Sequence, residues 1–250
     1  SSAFTRALER TSHGDPLQFV RLMIDLHDVA DSFGTDVRSS ARSLIETLCP
    51  IAGEFHQALS EATPSVGPEV LSVLTEASQV AEPKVVGRLL PILLTNGPPP
   101  LDVIRRLLME TEDRALACKA TEAAVALDDD ELIGLALRHT RADARQIALE
   151  HRLSQCNGVV PADLLAFAAD RGSRVRLALL DKVALWPHPS HIETLLKLSK
   201  DRWSDAEPYR DEPKYYPIAR AAVEALLRYE TLDDAFGIEL VGLAVGTPDD

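Results

Sequence analysis

Aromatic side chains are scarce, 5% of 250 residues, and Val and Ile fall inside Leu- and Ala-rich stretches rather than in alternating runs. The composition and the period-two pattern that mark β-sheets are therefore missing, and an all-α fold is expected. Basic charge is also in short supply, with 26 Lys and Arg against 39 Asp and Glu and a net charge of −13. So acidic a chain repels a phosphate backbone unless its cations gather on one face. Residues 1–100 carry 7 basic and 12 acidic groups, 101–182 carry 12 and 14, and 183–250 carry 7 and 13, so the middle is least acidic without being basic. The three cysteines, Cys49, Cys118 and Cys156, are odd in number and far apart inside helical patterns. Neither a disulfide framework nor a metal knuckle is expected, and a reducing cytoplasm fits. No apolar run approaches the roughly 18 residues of a membrane helix, and no charged-then-apolar leader opens the chain, so membrane insertion and export are not expected. Phosphate-binding Gly loops, nucleophile elbows and zinc-protease motifs are missing too. No catalytic residue, metal ligand or cofactor is therefore named, and the expectation leans away from an enzyme.

What the chain does have is 46% hydrophobic residues, enough for a packed fold, and a repeat. The stretch 170–185, Asp-Arg-Gly-Ser-Arg-Val-Arg-Leu-Ala-Leu-Leu-Asp-Lys-Val-Ala-Leu, has counterparts at 113–127, 141–155 and 215–229. Each places a small or β-branched residue and a basic residue before a run of Ala and Leu. Self-similarity at about 30 residues is the signature of stacked helix pairs, so the expected fold is an α-solenoid of antiparallel pairs.

The first strong helix should open at Asp15-Pro16, a cap followed by Pro at the first helical position, and run to about Phe33. A second pattern covers 36–48 and meets Pro50. Helices are expected at 51–62, from Val70 to near Pro83, and at 85–94, the last interrupted by Pro91. The run Asn96-Gly97-Pro98-Pro99-Pro100 is the strongest punctuation, dividing an irregular part, 1–97, from a regular part, 98–250, of one continuous solenoid. After it come pairs: first helices at 101–109, 130–138, 162–169 and 190–200, second helices from near Asp113, Ala142, Ser173 and Lys214. A final helix is expected at 232–245. The second helices are apolar almost all round, so flanking pairs must cover both sides. The abrupt Ser1-Ser2-Ala3 start and an ending just after a helix fit one domain of a longer protein.

Residues 101–229 resemble the short HEAT-like repeats of bacteria, in which an acid, several residues, Val-Arg and then Ala-Ala and Leu mark the inner helix. Asp113/Lys119 and Asp170/Arg176 match that acid-to-base spacing, whereas His139 and Lys214 stand where acids would precede Arg145 and Arg220. The resemblance implies fold more than function. It points first to a protein-interaction scaffold or sensor module, and second to a nucleic-acid-acting protein like the HEAT-like DNA glycosylases. A lyase of the repeat class is the weakest of these readings.

Two groups of residues are candidate partner sites. Thirteen additional residues, 201–213, separate the helices of one pair, and insertions in repeat proteins map to loops on one face. With every Tyr and Trp of the chain lying between Trp186 and Tyr229, the loop candidates are Trp203, Tyr209, Arg210, Tyr215 and Tyr216. The alternative is that Trp203 and Tyr209 pin their own loop. The second group is basic: Arg138, Arg141, Arg145, Arg174, Arg176 and Arg220, with Lys119, which could line a groove for an acidic partner. The favoured alternative pairs these cations with Asp113, Asp143, Asp170 and Glu224 between repeats. His188 and His191 stand three apart at a helix start, where capping is favoured over metal binding. Asp128, Asp129, Asp130 and Glu131 suit a helix N-terminus without any chemistry.

Overall fold

The computed structural model describes residues 15–32, 50–61, 63–97, 100–204 and 216–229. Among them every regular element is helical, twelve α-helices and two short 3-10 segments. The helices expected at 36–48 and 232–245 lie outside the described residues. None of the described helices is long and apolar enough to cross a membrane. The chain forms two compact units, 1–132 and 133–250, so the division expected at 97/98 falls inside the first.

The first unit holds α1 (Pro16–Ser32), α2 (Pro50–Ser60), α3 (Pro68–Val80), α4 (Pro83–Asn96), α5 (Leu101–Glu110) and α6 (Arg114–Ala126). Four of them begin on proline, whose missing N–H is no loss at a helix start and whose φ is already helical. Asp15 caps α1 by accepting the Gln18 N–H at 3.1 Å. The core gathers Phe19, Met23, Phe55, Leu74, Leu89 and Ile92, with the Phe19 and Phe55 rings 6.5 Å apart. Here α1 packs on α2 and α3, α3 on α4, and α4 on α6. Pro91 does not interrupt α4, contrary to the sequence expectation. Its neighbours Leu89, Leu90, Ile92 and Leu93 are almost fully buried. At about 1.5–3 kcal/mol each, their burial outweighs the ~3 kcal/mol that an internal proline costs.

The second unit follows from within α7 (Asp130–Leu137). It continues with α8 (Ala142–Gln155), α9 (Ala162–Leu165, extended by a 3-10 turn, Ala166–Ala169) and α10 (Ser173–Leu185). A 3-10 turn (Pro189–His191), α11 (Ile192–Leu198) and α12 (Pro217–Leu226) complete it. α10 packs on α8 and α12 as well as on α11 and the 3-10 turn after α9. Val175, Leu179, Leu180 and Val183 of α10 meet Leu149, Leu195 and Val223 in the core. Where α10 meets α8 the helices come close. A Cβ on Gly172, just before α10, would stand 2.7 Å from Ala142 Cβ.

Candidate functional site

The loops that lead into the second helices share one turn. A side chain accepts the backbone N–H two residues further on: Thr111 from Asp113 at 3.2 Å, His139 from Arg141 at 3.0 Å, Asp170 from Gly172 at 2.7 Å, and Asp201 from Trp203 at 2.8 Å. Such side-chain-to-backbone turns let a short loop satisfy its own amides. In the second unit an arginine at the fourth position of the following helix ties consecutive turns together. Arg145 donates to both Asp170 oxygens at 2.7 Å, and to the carbonyls of His139 at 2.7 Å and Thr140 at 2.9 Å. Arg176 repeats this from α10, donating to Asp201 at 2.5 and 3.2 Å and to the Asp170 carbonyl at 2.6 Å. Each guanidinium thus joins its own turn, six residues back, to the next turn's acid, 25 residues on.

These pairs are enclosed, with side-chain exposures of 7% and 9% for Arg145 and Asp170 and 13% and 9% for Arg176 and Asp201. Burial alone would raise the Asp170 carboxyl. Hydrogen bonds from Arg145 and the Gly172 amide, with the charges of Arg145 and Arg171, more than offset it and hold the group below the usual carboxylate range. Arg145 and Arg176, candidates for partner binding in the sequence, are enclosed here and tie the turn before their own helix to the acid of the next turn. Lys119 is outside this ladder. Asp113 is itself the cap of α6, accepting the Leu116 N–H at 3.0 Å. Thr111 takes the turn position, Ala117 stands where Arg145 and Arg176 do, and Lys119 is exposed.

The remaining cations are scattered among acids. Arg138 is exposed, Arg141 is the half-buried residue before α8, and Arg174, 67% exposed, lies 3.7 Å from Asp143. Arg220 occupies the ladder position of α12 but pairs with Glu224 of its own helix at 2.9 Å. Glu150 and Asp181 are also exposed on α8 and α10. Desolvation raises the Asp181 carboxyl, and the Glu150 charge adds to it.

At the insertion, Trp203 is half-buried against the core of the second unit, and the Arg202 guanidinium sits 5.5 Å from the Tyr216 ring centroid. Tyr209, Arg210 and Tyr215 lie outside the described residues. His191 is fully buried, its Nε2 accepting the Val160 N–H at 3.0 Å and its Nδ1 3.1 Å from the Trp186 carbonyl. That fixes a neutral ring with the proton on Nδ1. Burial lowers its pKa, the Trp186 hydrogen bond opposes this, and nearby His188 adds to the lowering. His188 accepts the Ser190 N–H at 3.3 Å as a helix cap. Among the described residues no group of three or more His, Cys, Asp or Glu could hold a metal ion. Asp129 caps α7 through the Leu132 N–H at 2.9 Å, and Glu131 pairs with Arg105 at 3.0 Å.

Among the described residues the second unit has a concave feature that the sequence reading missed. A groove of about 500 Å³ runs between α9 with its 3-10 extension and α11. One wall is apolar, from Val159, Pro161, Ala162, Leu165 and Ala166; the other carries Ser190, Glu193, Thr194 and Lys197. The sequence signal for it is the set of small side chains Ala162, Ala166 and Ala168, all of which line the groove. The chain matches no protein-family model, no curated protein and no solved structure.

Proposed function

We propose that this chain is a non-catalytic protein-interaction module, a scaffold or sensor built of HEAT-like helix pairs stacked as an α-solenoid. We take the groove between α9 and α11 as its partner site. The observation that carries the reading is a division of labour among side chains. What recurs from pair to pair, the turn acceptor and the arginine at the fourth helical position, is enclosed in Arg145–Asp170 and Arg176–Asp201 and serves the fold. What lines the groove does not recur, and an apolar wall facing a few polar groups is how proteins make a selective recess. A cytoplasmic setting and membership of a larger bacterial protein belong to the same proposal. The nucleic-acid reading is weakened by the acids beside two of the exposed arginines, Asp143 near Arg174 and Glu224 on Arg220.

Capture with purified wild type and with Ala166→Arg, which fills the groove from an exposed position, tests the proposal. A protein recovered in stoichiometric amount by wild type and lost with Ala166→Arg, at unchanged melting temperature, supports it. Equal recovery by both, or turnover of a small molecule without any partner, overturns it. A mobility shift with DNA or RNA at low salt that fades as salt rises would favour the nucleic-acid reading instead.

A further inference from the structure

The chain has two asparagines, Asn96 and Asn157, and each is followed by glycine. In such a pair no Cβ shields the glycine nitrogen and the backbone turns freely. This is the sequence in which a main-chain amide most readily attacks the preceding side-chain amide. The two sites share that chemistry and differ in structure.

Asn96 ends α4 and is locked. Its Oδ1 accepts the Val66 N–H at 3.0 Å, and its Nδ2 donates to the carbonyls of Pro64 at 2.7 Å and Ile92 at 2.8 Å. The would-be attacking nitrogen, that of Gly97, is engaged with the Leu93 carbonyl at 3.3 Å. Reaction there requires breaking three side-chain hydrogen bonds and freeing the nitrogen from a fourth. Asn157 is exposed in the irregular loop between α8 and α9. Among the described residues neither its side chain nor the Gly158 amide makes a hydrogen bond. Gly158 has φ 94° and open space around the position of a Cβ. The loop is anchored on either side of the pair, by Cys156, whose N–H donates to the Leu153 carbonyl and whose thiol donates to the Arg152 carbonyl, and by the Val160 N–H on His191.

We propose that Asn157 is a spontaneous deamidation site of the folded protein, and that the fold protects Asn96 from the same reaction. The Gly158 nitrogen attacks Cγ of Asn157 and gives up its proton. A C–N bond forms, the Cγ–Nδ2 bond breaks, and ammonia leaves with that proton. The resulting five-membered imide then takes up one water. Opening at Cγ gives aspartate, and opening at the main-chain carbonyl gives isoaspartate, with no change of oxidation state in either case. Both products add a carboxylate, and isoaspartate also adds a methylene to the main chain. Both changes fall immediately before Val159 and Val160, which line the groove between α9 and α11.

The test is peptide mapping by mass spectrometry after incubating the intact protein at mildly alkaline pH, natively and in urea. Isoaspartate is detected in parallel by enzymatic methyl transfer. In the native arm Asn157 should convert steadily, with Asn96 roughly tenfold or more slower because its reaction awaits local opening. In urea the two rates should approach each other. Equal native rates, a native Asn157 that resists while the urea arm converts it, or a gap that persists unchanged in urea would each overturn the proposal.

Discussion

Replacing Asp170 by alanine would leave the Arg145 guanidinium, 7% exposed, without the two oxygens that receive its Nε and Nη2 protons at 2.7 Å. Breaking a buried pair from one side costs about 3–5 kcal/mol, because the remaining charge is left unpaired. Two effects adjust that figure in opposite directions. Arg145 keeps the carbonyls of His139 and Thr140, which softens the loss. The turn loses its acceptor for the Gly172 N–H, worth ~1 kcal/mol. A loss of about 3 kcal/mol is expected. Both tryptophans, Trp186 and Trp203, lie in the second unit, so tryptophan fluorescence in a urea titration follows that unit. Arg145→Ala alone should cost less, since a lone carboxylate keeps the Gly172 amide and the nearby charge of Arg171. The double variant should be less damaged than the sum of the singles by ~2 kcal/mol, the coupling of a direct pair. Because the folded Asp170 is held below its ordinary pKa, its contribution is complete above about pH 4 and is lost as pH falls further. The gap between wild type and Asp170→Ala should therefore be flat near neutrality and close in acid. A loss under about 1 kcal/mol at neutral pH, or a coupling within ~0.5 kcal/mol of zero, refutes the assignment of these arginines as what joins successive turns.

Gly172→Ala should destabilise by roughly 1–3 kcal/mol in urea, since the new methyl meets the rigid Ala142 Cβ at 2.7 Å. Gly87→Ala meets only the swinging tip of Leu116 and should cost less, as alanine's gain of ~0.5–1 kcal/mol inside a helix offsets part of the clash. His191 titrates below its ordinary value, so stability of the second unit should be full above about pH 6.5 and decline as pH falls below it. A flat profile from neutral to mildly acidic pH, or the same slope in His191→Gln, contradicts this. Trp203→Ala should lower stability by about 2 kcal/mol, roughly half the cost of emptying a fully buried tryptophan site. Circular dichroism melts showing no change would return Trp203 to the role of an exposed anchor.

The helices themselves were legible in the chain because their signals are local. Proline at the first helical position, aliphatic residues at helical spacing, and Asp15 and Asp129 at helix starts act within one turn. They place α1, α5, α6, α8 and α10 within a residue or two of where they are found. The preference for paired over free arginines was also readable, since acids and bases alternate through the middle of the chain. What no local signal carries is which acid meets which base. The motif spacing put Lys119 in register with Arg176, but the turn position belongs to Thr111, and its helix brings Ala117 to the place of the arginine. The acid of each Arg145–Asp170 or Arg176–Asp201 pair comes from 25 residues ahead.

Tertiary contacts likewise decided against two strong local rules. Pro91 sits inside an unbroken helix because four buried neighbours outweigh its missing donor. Trp203, the most prominent residue of an apparent surface loop, rests on a core assembled from helices before and after it. The groove between α9 and α11 is lined in part by Val160, whose amide donates to His191, 31 residues away. A sequence states which side chains are small, apolar or charged. Whether small residues leave a cleft or let helices close depends on what the fold sets opposite them: Gly172 faces Ala142 across a tight contact, and Ala166 faces open space.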